Sequence, residues 1–157
     1  MNRHIYRLVA AVLAAITIVS CNGARKSEAF RVLEDVERCM CDRPDSALQI
    51  VTSIDESDLT TKELKAKRDL LKWYLVMKAN NETPDANLLL NAYDCFTSKE
   101  ASSERFLSYL FRGIDYILSK DYESAMKELV KAEEDSEYAS TYLLGILSIT
   151  ASSFTTL

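Results

Sequence analysis

Glycine and proline are scarce in this 157-residue chain, three and two respectively, and histidine occurs once. So little turn-forming material argues against a fold built from many tight turns and points to helices. The one histidine, His4, lies in a segment expected to be removed. The mature chain is then without Ser-His or Cys-His nucleophile pairs and without histidine metal ligands. Gly23, Gly113 and Gly145 are isolated, so no glycine loop cradles a phosphate. Basic residues are outnumbered, 19 against 24 acids, and a chain starting at residue 21 loses two arginines to reach a net charge of 17 − 24 = −7. That sign disfavours nucleic acid, which asks for a basic patch. Acid clusters such as Glu133-Glu134-Asp135 fall at a helix end and read as solvated surface. No enzyme, cofactor or metal is expected from this inventory.

The amino terminus has three parts. "MNRHIYR" carries Arg3 and Arg7, "LVAAVLAAITIVS" is a run of thirteen uncharged residues, and "CNGARKSE" is polar. A bilayer-crossing helix takes about twenty apolar residues, so this run fits a signal-peptide core. Ile18-Val19-Ser20-Cys21 resembles the bacterial lipobox. The resemblance implies a signal peptide over 1–20, a diacylglyceryl group on the Cys21 thiol, cleavage before it and an acylated new amino end. A single acyl chain holds a protein to a membrane only marginally, whereas two or more anchor it stably. The expected location is a bacterial cell envelope, anchored to the inner or outer membrane and facing the periplasm. Residues 21–26 would serve as a tether, and 27–157 as one helical domain.

Cys39 and Cys41 form C-x-C in a helical pattern, which sets their side chains about 200° apart and suits chelation poorly. Both, with Cys95, are expected to be buried structural thiols, and a disulfide to Cys95 stays open.

From residue 28 the apolar positions recur at helical spacing. Phe30, Leu33, Val36, Glu37 and Met40 mark one face, and Pro44 opens a second helix with Ala47, Leu48, Val51 and Ile54 inward. Thr60-x-x-Glu63 predicts a capping box for a third helix, with Leu64, Leu71, Trp73, Tyr74 and Met77 in the core. Thr83-Pro84 predicts the cap and first residue of a fourth, with Leu88, Leu89, Ala92 and Phe96 facing in. "SSERFLSYLFRGIDYILSK" and "DYESAMKELVKAEED" form a third pair, and "ASTYLLGILSITASSFTTL" predicts a seventh helix.

The third pair has the clearest internal pattern: Tyr109, Gly113 and Tyr116, then Asp121-Tyr122, then Ala125, Leu129 and Ala132. Over 106–139 it resembles the tetratricopeptide repeat, a 34-residue helix–turn–helix unit. Gly113 and Ala125 are small where the two helices would cross closely. Arg112 and Glu137 depart from the family's leucine and proline. The stretch from Arg43 to Ala79 is similar to the amino-terminal region of tetratricopeptide lipoproteins and regulators of Bacteroides and relatives.

The resemblance implies an all-α, right-handed solenoid of antiparallel helix hairpins, about seven helices after the signal peptide. It also implies a groove for a protein or peptide partner, at Leu110, Ile114 and Ile117. Ala151 and Phe154 would take the small and aromatic positions of a further repeat. The apolar final stretch is therefore expected either to be an end cap or to mark a truncation. The leading expectation is a lipid-anchored, non-enzymatic interaction scaffold. The alternative is the amino-terminal input region of a larger membrane-bound regulator.

Overall fold

The computed structural model describes residues 28–80 and 82–138. Cys21, the tether and the expected seventh helix lie outside the described residues. Among the described residues the regular structure is helical throughout, so the chain is all-α. Helix α1 covers 28–39, α2 Pro44–Ser53, α3 Lys62–Asn80, α4 Ala86–Phe96, α5 Ser103–Leu118 and α6 Tyr122–Glu134, followed by a 3-10 turn at Ser136–Tyr138.

The helix starts follow local chemistry. Pro44 takes the first position of α2, where its missing N–H has no intrahelical acceptor to lose. Helix α3 is capped one residue later than predicted: the Leu64 amide donates to Thr61 Oγ1 at 3.2 Å, and Glu63 accepts from Lys99 Nζ at 2.9 Å. Helix α4 starts two residues later than predicted, because Asp85, past Pro84, accepts the Asn87 amide at 2.9 Å. Ser102 and Asp121 cap α5 and α6 in the same way, accepting from Arg105 and Ser124.

The α5–α6 connection is a Schellman turn. The Asp121 amide donates to Tyr116 O and the Lys120 amide to Ile117 O, both at 2.9 Å, with Lys120 in the left-handed region at φ 62°.

Successive helices from α2 to α6 pack against one another, and α3 also reaches α5. Arg105 meets Asp135 while Gly113 meets Leu129, so numbering rises along α5 as it falls along α6 and the two are antiparallel. Helices α3 and α5 run parallel instead. Lys67 meets Glu104 and Tyr74 stacks on Phe111 with centroids 4.9 Å apart, and each pair is 37 residues apart in sequence.

The core follows from this arrangement. Leu33, Val36, Met40, Ala47, Val51, Leu71, Trp73, Tyr74, Leu89, Ala92 and Phe96 are buried as the periodicity requires, and Leu48, Ile54, Met77 and Leu88 pack against them. Helix α3 is enclosed on several sides and buries residues around much of its circumference, including Lys67 and Asp69. Phe30 corrects the sequence reading. It is 44% exposed because the inward stripe of α1 runs through Ala29, Leu33 and Val36 and leaves position 30 at its edge.

The thiols follow the expectation in part. None of the three forms a disulfide; Cys95 is buried as expected, whereas Cys39 and Cys41 are half-buried. Helix α1 ends at Cys39, so Cys41 lies in the following turn, where its thiol and the Tyr74 hydroxyl share a hydrogen bond. Burial, and then the charge of Asp42, pushes the Cys41 thiol above its ordinary pKa.

Candidate functional site

Three helices that are distant in sequence meet at one ammonium. Lys67 of α3 reaches Glu37 Oε2 of α1 at 2.8 Å and Glu104 Oε1 of α5 at 2.9 Å. Its side chain is only 7% exposed, and Nζ stands 5.4 Å from the centre of the Phe30 ring. Burial alone would draw the Lys67 ammonium down. The two carboxylates outweigh it through charge and hydrogen bonding, and its pKa ends above that of a free lysine. Glu104 behaves as the mirror image. Burial pushes its carboxyl up, and Lys67 more than compensates, holding it below the ordinary range.

A cleft of about 210 Å³ opens over this cluster. Phe30, Leu64 and Phe96 give it apolar walls, Lys67 and Glu104 lie at its charged end, and Thr61 and Glu63 complete it. Lys99 stands at the rim, 5.7 Å from the centre of the Phe96 ring and bonded to Glu63. That bond, before any other influence, pulls the exposed Glu63 carboxyl down to about 2. The arrangement offers an apolar slot with a fixed polar end, as suits one apolar side chain of a partner. Sequence reasoning placed Glu37 on the inward face of α1 but gave it no role, and it passed over Lys67 and Glu104. A charged residue recurring with apolar ones at helical spacing was the available signal.

A second polar link joins α4 to α6. The Tyr93 hydroxyl donates to Glu128 Oε2 at 2.9 Å, and Lys131 Nζ donates to Glu128 Oε1 at 2.8 Å. Tyr109 packs edge-on against Tyr93 with centroids 5.8 Å apart, beneath the Lys131 ammonium.

The other repeat-signature positions divide by environment. Gly113, Ala125 and Ala132 are buried, and Leu129 is partly buried against the core. Tyr116 is half-buried under Arg112, whose guanidinium lies 4.5 Å from the ring centre and bonds the Tyr116 hydroxyl at 3.1 Å. The arginine that departs from the repeat pattern is thus accommodated by stacking and by Asp115 at 3.0 Å. Leu110 and Ile114, expected along a groove, are buried in the core, and Ile117 is half-buried.

Among the described residues no helix is long and apolar enough to cross a membrane. No protein family, curated protein or solved structure matches the chain.

Proposed function

We propose that this chain is a lipid-anchored, non-enzymatic scaffold of a bacterial cell envelope. Its helix pairs would stack as a tetratricopeptide-like right-handed solenoid that holds a protein or peptide partner. The observation that carries the scaffold reading is the shared 37-residue register of the Lys67–Glu104 and Tyr74–Phe111 contacts. Parallel packing of alternate helices is what stacked hairpins produce, and the offset of 37 is close to the 34-residue unit of the repeat family. The anchor rests on Ile18-Val19-Ser20-Cys21 after an apolar run of thirteen residues. The cleft walled by Phe30, Leu64 and Phe96 is the partner site this reading favours.

Mass spectrometry of the membrane-extracted chain tests the anchor. An acylated Cys21 at the amino terminus, with residues 1–20 gone, is expected; an intact Met1 end overturns it. A photo-crosslinking residue at Phe30 tests the cleft in cells. It should give a discrete adduct that the same residue at exposed Gln49 does not, and equal labelling at both sites removes the cleft from the proposal.

A further inference from the structure

Helix α6 carries an apolar ridge on the side turned away from α4. Tyr122, Met126 and Val130 are 56%, 62% and 47% exposed and follow one another at four-residue spacing. Ala125 and Ala132 point into the core, and Glu128 and Lys131 turn to Tyr93 of α4, so the ridge belongs to neither contact. Single exposed apolar residues are ordinary, whereas three in a row along one helix make a surface that water covers poorly. Beside them lies a shallow depression of about 600 Å³, lined by Met126, Val130, Glu123, Lys127, Glu128 and Lys131.

We infer that this ridge is a contact between two copies of the chain, with α6 crossing the α6 of its partner in antiparallel sense about a twofold axis near Met126. Ridges of four-residue spacing interdigitate with copies of themselves, the commonest way two helices pack. A twofold antiparallel crossing brings Met126 against its own copy and Tyr122 against Val130 of the other chain. The flanking charges match this arrangement. Glu123 and Lys127 lie on the same side of the ridge, and the twofold sets each Glu123 beside the Lys127 of the other chain. Within one chain these two are already paired at 2.7 Å and both are well exposed. They can therefore exchange partners across the contact without burying an unpaired charge. A second copy is the occupant because the ridge complements itself in shape and in charge. The contact requires no lipid on Cys21 and stands apart from the partner cleft at Phe30.

Cysteine crosslinking of the full chain, in mild detergent and in membranes, tests the inference. Met126→Cys should give a disulfide-linked dimer under a mild oxidant, with peptide mapping placing the link at position 126 in both copies. Gln49→Cys should not. Adding Glu123→Lys to Met126→Cys should cut the dimer yield at least tenfold. Adding Lys127→Glu as well should restore it, since the reversed pair is again complementary. Circular dichroism of each variant shows that the helices remain. Absence of a 126–126 link with folding intact overturns the inference, as does a yield that ignores the charge reversals. A photo-crosslinking residue at position 126 that labels residues 139–157 of the same chain overturns it too, by making that segment the occupant.

Discussion

A Cβ placed on Gly113 of α5 would stand 2.8 Å from Leu129 Cδ2 of α6 and 2.9 Å from its Cγ. The two helices meet at the distance a glycine permits, with Ala125 O a further 3.5 Å neighbour of the same point. Because Cγ is involved, a change of the outer leucine rotamer alone does not clear the space. Gly113→Ala is expected to lower stability by about 1 kcal/mol net. Overpacking of about 1–3 kcal/mol is partly offset by the better helix propensity of alanine. In a Leu129→Ala background the same change should become neutral or stabilising. A double-mutant cycle in urea checks this, and additive effects would show that the crossing is not the reason for the glycine.

Lys67 is the second test point. Lys67→Met removes the ammonium from between Glu37 and Glu104 and leaves two carboxylates facing each other in a buried place, which costs about 3–5 kcal/mol. Lys67→Met with Glu37→Gln and Glu104→Gln should recover most of that loss. If the triple variant is as unstable as the single one, packing of the lysine stem and not its charge explains the effect.

The same cluster sets a pH dependence. The Glu104 carboxyl is lowered in the folded chain, so its contribution is complete above the unfolded value of about 4.3 and disappears as pH falls through the folded value. The Lys67 ammonium is raised, so its contribution is complete below about 10.4 and disappears as pH rises through the folded value. Thermal unfolding should show the cluster's contribution level between about pH 5 and pH 10, falling on both sides. In Lys67→Met the acid limb should reverse, since protonation then relieves a repulsion. An unchanged acid limb would count against the assigned pairing.

Trp73 supplies a different kind of prediction. Its ring is fully buried against Phe111, 5.9 Å between centroids, and its Nε1–H has no acceptor among the described residues. Trp73→Phe loses ring volume but also removes an orphaned donor, a group whose burial costs about 1–3 kcal/mol. It should therefore be far milder than Trp73→Ala, which is expected to cost about 3–5 kcal/mol. Chemical denaturation of both variants decides, and equal losses would mean that the indole N–H does have a partner.

Lys120 occupies the left-handed position that glycine usually fills at the end of a helix. Lys120→Gly should raise stability by up to about 1 kcal/mol, because relief of the Cβ clash exceeds the added freedom of the unfolded chain. A lower melting temperature would show that the lysine side chain contributes something its conformation conceals.

Much of the helix layout is legible from local residues, and its misses have local causes. Pro44 identifies the start of α2 because proline fits that one position and few others. Thr60 and Thr61 are both competent caps, and only the final direction of the chain selects the second. Asp85 competes in the same way with Thr83. The buried cluster was beyond such reasoning, since Glu37, Lys67 and Glu104 are brought together by how the helices stack. The fate of Leu110 and Ile114 depends on the same packing. Periodicity says that they face inward or into a groove, and only the positions of α3 and α6 say which.

One ammonium held in common by three helices turns their alignment into a single variable. Advancing α3 by one residue in its seat swings Lys67 about 100° around the axis and breaks both of its ion pairs at once. A slipped register is penalised at α1 and at α5 simultaneously, so partial misassembly gains nothing. The charge works as a lock with one setting.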